Sequence, residues 1–426
     1  MKKKTKILIT NAWSDLNRGD SAILLGMISF LKRHFPLSSI NIMSEFDEND
    51  PNFASGYQVV TAHYPEVTIL PALFPYPSGN KLSKRVKWLL HLGRALCTLL
   101  FPFLSGLFFS KKRALSWQRL KESDLVISKG GHIFHSANPS LRHLLGILKH
   151  FYPLLLGIRL RKKTILYAQS FGPFSGRINR RFAKWFFNSI GGLSAREKIS
   201  IQILRDLGVK KAITLVPDAA FYLSPVVVAN LKVCPLHQMN RGERMVIFTP
   251  RQWKTAGVIE CLADVASWIN KELGYQVVLV AHTIGPTPEE DDRMAVKALY
   301  ELLPEKSRVK TIDTTDLDTI QVMGLYTDAS LLIGTRLHSV IFALLNLVPA
   351  IAISYFGPKT RGGMEELGLS DFVVDINKIS AQELKQKVRT ILTRESEIKK
   401  HLRLKLAELQ NQAEENGLKL IKSVIS

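Results

Sequence analysis

The feature that most constrains the fold of this chain is a repeated alternation of short strand-like segments and longer helix-like segments. Apolar runs such as Leu125–Ser128 and Met245–Thr249 are followed by stretches in which apolar residues recur at helical spacing. This alternation is typical of parallel sheets whose strands are connected by crossover helices. The chain has 426 residues, which is enough for two such domains with separate cores.

The predicted elements can be assigned by residue. In the first half we predict strands at Lys6–Thr10, Ile40–Met43, Gln58–Thr61, Leu125–Ser128, Thr164–Ala168, Gly192–Ala195 and Ile213–Val216. The helices between them are predicted at Ser21–His34, Leu141–Leu156, Ile178–Ser189 and Ile199–Leu207. The strands of the second half are predicted at Met245–Thr249, Gln276–Ala281, Val309–Ile312, Ala329–Ile333, Ala350–Ile353 and Phe372–Val374. Its helices are predicted at Gly257–Leu273, Glu289–Leu302, Leu317–Leu325 and Val340–Leu347, with a long charged helix from Ala381 to about Lys422.

The alternation stops between Ser224 and Arg244, where Pro225, Pro235 and Gly242 interrupt any long period. We therefore predict an N-terminal Rossmann-like domain at residues 1–225, a linker at 226–243, a C-terminal Rossmann-like domain at 244–380 and the charged helix at 381–426. Two doubly wound domains of this kind are expected to face a cleft at the carboxyl ends of their strands, where ligands bind. Many glycosyltransferases use this architecture, although a fold alone does not fix the chemistry.

The most informative turn spans residues 333–339 and contains Arg336 and His338, two residues apart after a predicted strand. Arginine binds planar anions bidentately, and histidine exchanges protons near neutral pH. Arg196, Arg251 and Lys359 follow other predicted strand ends. Because the strand ends of one parallel sheet share an edge, Arg251, Arg336 and Lys359 of the second half predict a site for a small, highly charged anion, which Arg196 of the first half is expected to meet in the cleft.

The first strand-to-helix turn contains Asn17, Gly19 and Asp20. Gly19 permits a tight backbone turn, and we expect Asp20 or Ser21 to cap the following helix. Free amides at that helix start are suited to bind an anion, although a simple cap explains the same residues. The turn lacks the G-x-G-x-x-G pattern, so dinucleotide binding is not supported.

Further candidates follow three other strands of the first half. Gly130 and Gly131 would let a ligand approach the backbone, although a plain turn is the alternative, and His132 adds proton chemistry. Ser170 follows the next strand. Asp218 ends the last strand before the linker and is a candidate general base or orienting group. For Arg196, a surface pair with Glu197 or Glu243 is the alternative to anion binding.

The charge balance also points to an anionic partner. The formal net charge is +22, which suits nucleic acid, anionic lipid or an acidic substrate. Because no nucleic-acid recognition module is visible, we favour a membrane surface or an anionic substrate. The three cysteines lie far apart without metal-ligand or disulfide spacing, which predicts no metal site and a reducing compartment.

A hydrophobic, basic insertion occupies residues 81–113. Its core, Val86–Phe109, is long enough to cross a bilayer, but Lys87, His91 and Arg94 interrupt it at helical spacing. We expect an amphipathic element that lies on an anionic membrane or a partner, with a buried helical hairpin as the alternative. The protein is thus expected in the cytoplasm, at the inner face of the membrane.

Taken together and in order, these turns resemble the polysaccharide pyruvyl transferase family. The matching motifs are Asn17-x-Gly19-Asp20-x-Ala22, Gly130-Gly131, Gln169-Ser170-x-Gly172-Pro173, Arg196-Glu197-x-x-Ser200, Pro217-Asp218, Arg251-x-Trp253, Arg336-Leu337-His338-x-x-Ile341-Phe342-Ala343 and Ser354-Tyr355-x-x-x-Lys359. The resemblance implies a fold similar to that of two-domain glycosyltransferases. It also implies phosphoenolpyruvate as the donor and a pyruvate ketal on two sugar hydroxyls of a cell-surface polymer as the product.

The resemblance assigns Arg336, His338 and also Arg196 to the donor site. His338 is the first candidate for acid–base catalysis, and His132 and Asp218 are further ones. The predicted binding residues are Arg336, Arg196, Arg251, Lys359, Asn17, Gly19, Asp20, Gly130, Gly131, Ser170 and Tyr355. Phosphoenolpyruvate is then a substrate, no cofactor is expected, and the acceptor is a polymer- or lipid-linked sugar.

Two other functions fit parts of the pattern. A two-domain glycosyltransferase would use a nucleotide sugar and hold its diphosphate with Arg251 and Lys359. A non-catalytic basic module would bind an anionic membrane or polymer without turnover.

Overall fold

The computed structural model describes residues 5–75, 81–223 and 244–425, so the predicted linker at 226–243 lies outside the described residues. Helices and strands alternate along the chain, and the strands form two parallel sheets. This arrangement confirms the predicted α/β class with doubly wound sheets. The described residues form two compact units.

The first unit contains the described residues of Met1–Ser14, Ile23–Ala219 and Gln412–Ser426. Its strands are β1 (Lys6–Ala12), β2 (Ser39–Ser44), β3 (Thr68–Leu70), β4 (Leu125–Ser128), β5 (Gly131–Ser136), β6 (Lys163–Phe174), β7 (Gly192–Ala195) and β8 (Thr214–Leu215). They pair in the order β3-β2-β1-β4-β6-β7-β8, and β5 pairs with β6. The helices up to this point are α1 (Arg18–His34), α2 (Pro51–Ser55), α3 (Gln58–His63), α4 (Lys81–Leu100), α5 (Lys111–Glu122), α6 (Leu141–Arg159), α7 (Arg177–Ser189) and α8 (Lys198–Asp206).

The second unit contains the described residues of Asp15–Ala22 and Ala220–Asn411. Its strands are β9 (Met245–Thr249), β10 (Gln276–Ala281), β11 (Val309–Asp313), β12 (Leu331–Gly334), β13 (Ala350–Ser354) and β14 (Val373–Asp375). They pair in the order β11-β10-β9-β12-β13-β14. The later helices of the chain are α9 (Val258–Glu272), α10 (Arg293–Leu302), α11 (Thr319–Gly324), α12 (Leu337–Leu345), α13 (Lys359–Glu366), α14 (Ala381–Thr393) and α15 (Glu395–Ile425).

Each sheet is the centre of its own core. Every residue of β4, β9 and β10 is buried, as expected for parallel strands that helices cover on both faces. On one face of the first sheet, Phe151 of α6 stacks on Phe186 of α7 with ring centroids 3.8 Å apart. These continuous apolar runs allowed the central strands to be predicted from the sequence.

One predicted strand is wrong. Gln58–Thr61 lies within α3, where the Thr61 amide donates to Tyr57 O at 3.0 Å. The run has β-branched residues, but Val59 and Val60 can also be buried from a helix of one and a half turns. The edge strand of the sheet is instead β3, three residues long.

Residues 15–22 belong to the second unit, whereas the sequence-based boundary placed them in the N-terminal domain. Three contacts explain this. The Ile284 amide donates to Leu16 O at 3.1 Å, Arg18 Nη2 donates to Thr314 O at 2.6 Å, and the Thr319 and Ser21 hydroxyls are 2.7 Å apart. The first strand-to-helix turn is thus part of the second unit.

The C-terminal charged helix is also divided differently from the prediction. It consists of α14 and α15, and the chain from Gln412 onwards belongs to the first unit. There the Asn416 side chain donates to Leu215 O at 2.8 Å. The end of the chain therefore packs on the β7–β8 edge of the first sheet.

The basic insertion forms α4 followed by a 3₁₀ helix, Pro102–Leu107. One face of α4 packs on the first unit, where Trp88 meets Phe74 with ring centroids 5.5 Å apart and Thr98 is hydrogen-bonded to Tyr152. Among the described residues, no helix has both the length and the apolar character needed to cross a membrane.

Candidate functional site

The carboxyl ends of three neighbouring strands of the second unit, β9, β12 and β13, bring cations around Tyr355. The Arg251 guanidinium lies 4.5 Å from the centre of the Tyr355 ring. Lys359 Nζ donates to the Tyr355 hydroxyl at 2.8 Å. Trp253 lies beside them, with its ring centroid 4.9 Å from that of Tyr355. We call Arg251, Arg336 and Lys359 the cationic cluster.

The cationic cluster changes the pKa of the Tyr355 phenol. Burial alone would raise the pKa of Tyr355, but the charges of Lys359, Arg251 and Arg336 outweigh burial and lower its pKa to about 7. A tyrosine that ionises near neutral pH indicates a local excess of positive charge. The same excess of positive charge would stabilise an anion bound at this site.

Arg336 is held in place by a carboxylate that sequence analysis missed. Its Nε lies 3.0 Å from Asp292 Oδ2, and its Nη2 lies 2.7 Å from Asp292 Oδ1 and 3.0 Å from Glu290 O. Burial would lower the pKa of Arg336, but the Asp292 carboxylate keeps that pKa above its ordinary value. Asp292 in turn accepts the Thr283 amide at 3.0 Å. The guanidinium is therefore fixed in its plane and permanently charged.

His338 lies in the first turn of α12, which begins at Leu337 rather than at the predicted Val340. Its ring packs directly on Gly19: a β-carbon added at residue 19 would lie 2.5 Å from His338 Cγ. Gly19 is therefore required by side-chain packing. The predicted turn residue and the predicted proton carrier thus meet within the second unit.

Asn17, rather than the expected Asp20 or Ser21, caps α1. Its Oδ1 accepts the Asp20 amide at 3.3 Å, and its carbonyl accepts the Ser21 amide at 3.0 Å. Its Nδ2 donates to Glu290 Oε1 at 3.2 Å. Asn17 thus ties the start of α1 to the loop that also holds Arg336.

His282, at the end of β10, is buried in the second unit. Its Nδ1 is 2.8 Å from the Tyr326 hydroxyl. Burial, followed by the charges of His338 and Arg336, holds the pKa of His282 well below its ordinary value. His282 is therefore a neutral imidazole beside His338, a position that favours a supporting role.

In the first unit, Arg196 forms a buried ion pair with Asp218. Arg196 Nε also donates to Ser170 Oγ at 2.6 Å, and Ser170 Oγ donates to Glu197 Oε2 at 2.9 Å. Burial raises the pKa of Glu197. Arg196 does pair with Glu197, with Nε 3.5 Å from Oε2, but both side chains are buried, so this pair is not at the surface; Glu243 lies outside the described residues. This network brings three predicted site residues together: Ser170 lies within β6 rather than after its end, Arg196 directly follows β7, and Asp218 follows β8.

The Gly130–Gly131 turn is in fact the entry to strand β5. His132 Nε2 is 2.6 Å from Gly172 O, so this nitrogen carries the proton. A β-carbon at Gly130 would lie 2.9 Å from Ala168 O, which gives this glycine a packing role. Gly131 has a φ of 145°. Packing therefore explains the glycine at position 130, and backbone conformation explains the glycine at position 131.

Sequence analysis also missed a buried charged group in the first unit. Glu45 Oε2 lies 2.5 Å from Lys149 Nζ, and Glu45 Oε1 lies 3.0 Å from His150 Nδ1. Burial would raise the pKa of Glu45, but His150 and Lys149 hold it well below its usual range. Because Glu45 is more than 100 residues from its partners, only the fold reveals this group.

Comparison with known proteins gives consistent matches. The family model described as "Polysaccharide pyruvyl transferase" matches residues 17–357. The chain is similar to the amylovoran biosynthesis protein AmsJ of Erwinia amylovora, with 26% identity over 416 residues that cover 93% of this chain and 94% of AmsJ.

Solved structures with a similar fold include a glycosyltransferase from Rickettsia africae, with a TM-score of 0.58, 15% identity and coverage of 100% of this chain and 99% of that one. HepE from Anabaena in complex with UDP-glucose has a TM-score of 0.56, 16% identity and coverage of 98% and 99%. At such identities the likeness bears on the fold alone. It confirms two Rossmann-like domains of the glycosyltransferase-B type.

Proposed function

The chain belongs to the polysaccharide pyruvyl transferase family, and we propose that it transfers the pyruvate unit of phosphoenolpyruvate onto two hydroxyls of a sugar. The product is a pyruvate ketal in a cell-surface polysaccharide or in its lipid-linked precursor. The observation that carries the choice of donor is the cationic cluster around Tyr355, whose pKa is lowered to about 7.

The charges of the cluster suit this donor. Phosphoenolpyruvate carries a carboxylate and a phosphate on three carbons, so it needs more than one cation within a small volume. Arg336 is balanced by Asp292, whereas Arg251 and Lys359 contact the ionisable Tyr355. A donor anion would take the place of the phenolate charge and return a proton to Tyr355. Arginine and lysine side chains supply the positive charge, and the proposal requires no metal.

The proposed reaction consumes one phosphoenolpyruvate and two sugar hydroxyls and yields a ketal and inorganic phosphate. His338 donates a proton to the methylene carbon C3, which becomes a methyl group, and C2 becomes electrophilic. One hydroxyl oxygen bonds to C2, the bond from C2 to the phosphate oxygen breaks, and the second hydroxyl closes the ketal. One hydroxyl proton restores His338 and the other leaves on phosphate. General acid catalysis of this kind contributes about 10²–10⁴-fold.

The acceptor is proposed from the relatives. AmsJ is described as an amylovoran biosynthesis protein, which supports a polysaccharide or its precursor as the acceptor. We propose that the first unit binds this sugar near its polar network of Ser170, Asp218 and Arg196, so that Arg196 lies on the acceptor side instead of in the donor site to which the resemblance assigned it. A lipid-linked precursor would be met at the inner face of the cell membrane, and we place the enzyme in the cytoplasm at that surface.

A nucleotide-sugar glycosyltransferase is the second candidate. HepE, which shares the fold, was solved with UDP-glucose. The observation that favours this candidate is Trp253, whose ring lies 5.4 Å from the Arg251 guanidinium and is of the kind that stacks on a nucleobase.

Calorimetric titration separates the two candidates. We expect phosphoenolpyruvate to bind and UDP-glucose not to bind. Lys359→Met should weaken donor binding by roughly 10–100-fold, because a charge-assisted contact contributes about 1.5–3 kcal/mol. The matched control is Lys310→Met, at an exposed position on β11, which should leave binding unchanged. Binding of UDP-glucose without binding of phosphoenolpyruvate would exclude the pyruvyl transferase proposal.

A further inference from the structure

Helix α4 buries one face in the first unit and has an apolar stripe on the opposite, exposed face, where a surface helix usually has polar residues. The buried face contains His91, Ala95 and Thr98, at intervals of four and three residues. The opposite face contains Leu82, Val86, Leu89, Leu96 and Leu100, which follow one another at intervals of four, three, seven and four residues. A solvent-facing apolar stripe of this kind indicates that the helix packs against a second partner besides the first unit.

The outer stripe is strongly exposed. Together with Leu90, these side chains are between 49% and 72% accessible. From Leu82 to Leu100 the stripe runs along 18 residue steps, or about 27 Å of helix. Phe101 and Phe103 continue it into the 3₁₀ helix, and Phe103 is 79% exposed. Exposed apolar side chains in a continuous row mark an interaction surface rather than a scatter of single residues.

The charged residues around the stripe are almost all positive. Residues 81–122 contain ten lysines and arginines, and Glu122 is their sole acidic residue. Arg94, Lys111 and Lys112 are exposed. Beside the stripe, Lys121 lies 5.7 Å from the centre of the Trp117 ring, in an open groove that Phe103 also lines. Leucines and phenylalanines flanked by lysine and arginine are the composition of helices that lie in a membrane interface.

We propose that the exposed face of α4, extended by Phe101 and Phe103, docks on an anionic lipid bilayer with the helix parallel to the membrane plane. Its leucines enter the boundary between headgroups and acyl chains, and the flanking lysines and arginines contact lipid phosphates. A second copy of this chain is the less suitable occupant, because it would bring another strongly basic segment against the first.

This inference goes beyond the transfer reaction, because it concerns where the protein binds and not what it transfers. Flotation with vesicles is measured without donor or acceptor. Loss of lipid binding would therefore leave the proposed reaction intact, and loss of the reaction would leave lipid binding intact.

The test uses vesicles of phosphatidylcholine alone and of phosphatidylcholine mixed with phosphatidylglycerol. We expect the wild-type protein to float with the anionic vesicles only, and to be released by high salt. The double variant Leu89→Ser/Leu96→Ser should reduce the apparent partition coefficient by roughly tenfold or more, since two leucines no longer enter the apolar layer. The matched control is Leu404→Ser, which changes a leucine that is 60% exposed on α15. All of these positions are exposed, so unchanged thermal unfolding is expected.

A second pair of variants tests the charges. Lys111→Glu/Lys112→Glu should abolish flotation with anionic vesicles, whereas Lys271→Glu/Lys400→Glu, at exposed positions elsewhere, should leave it unchanged. Failure of the wild-type protein to float, or equal flotation of the leucine variant, would overturn the proposal. So would conversion of an oligomer into monomers by the leucine variant, seen by light scattering, without any change in flotation.

Discussion

Replacing Gly19 by alanine tests how residues 15–22 position His338. A β-carbon at residue 19 would lie 2.5 Å from Cγ and 2.9 Å from Cβ of His338. Non-bonded carbon atoms pack at about 3.5–4.0 Å, so the imidazole must move by roughly 1 Å or adopt another rotamer. We expect kcat to fall by about 10²-fold, the usual effect of a misplacement of this size.

The effect of Gly19→Ala on folding should be small by comparison. Alanine in a helix gains about 0.5–1 kcal/mol over glycine, and overpacking costs about 1–3 kcal/mol. The net change in the free energy of unfolding is thus at most about 2.5 kcal/mol, against about 5–15 kcal/mol for a typical domain. The variant should therefore remain folded, so that the loss of turnover reports on His338.

Phosphate release from phosphoenolpyruvate, measured with the sugar acceptor present, is the assay for this variant. The matched control is Gly146→Ala on α6, where nothing lies within 4 Å of an added β-carbon. The control should keep wild-type turnover and gain a little stability. A Gly19→Ala enzyme whose turnover stays within a few-fold of that control would refute the role given to this packing contact.

Three further perturbations test the charges of the two sites. At pH 8 the wild-type protein should take up protons when it binds phosphoenolpyruvate, because the Tyr355 phenol has a pKa of about 7 and is re-protonated. The uptake is measured by comparing binding enthalpies in HEPES and Tris buffers, and Tyr355→Phe should lose it. Since that pKa lies below the ordinary value of about 10.0, Tyr355 also contributes stability that is fully present above about pH 10 and is lost as the pH falls from there through 7, and urea unfolding of Tyr355→Phe should lack this dependence. Asp292→Asn leaves the buried Arg336 without its partner and should cost about 3–5 kcal/mol in urea unfolding, whereas Asp291→Asn, at its partly exposed neighbour, should cost at most about 1 kcal/mol. Arg196→Met leaves buried carboxylates unpaired, and its loss of stability should shrink as the pH is lowered and they become protonated.

The central strands of both sheets could be predicted closely from the sequence. Leu125–Ser128, Gly192–Ala195, Met245–Thr249 and Gln276–Ala281 have the predicted bounds. Helices cover both faces of such strands, so the apolar run itself marks where the strand begins and ends. The edge strand Thr68–Leu70 has one partner and three residues, and its signal is too weak to find.

The residue types of the candidate site could be predicted from the sequence, but the contacts between those residues could not. Arg251, Arg336 and Lys359 lie at strand ends, and the carboxyl ends of parallel strands share one edge whatever the loops do. Asp292 could not be assigned, because it lies 44 residues before Arg336 inside the predicted helix Glu289–Leu302, whereas in the structure that helix begins at Arg293 and leaves Asp292 at its N-terminus. The packing of Gly19 on His338 joins residues more than 300 positions apart. Contacts of this range depend on the folded loops, which local sequence does not encode.

Transfer of label from phosphoenolpyruvate to the acceptor tests the proposed function most directly. The donor carries carbon label in its pyruvate unit, and the acceptor is the lipid-linked oligosaccharide fraction of cells that make the polymer. We predict acid-labile incorporation of the label with release of one phosphate per pyruvate, and loss of both with His338→Gln. Incorporation of sugar from a nucleotide sugar, with no transfer of the pyruvate label, would contradict the account.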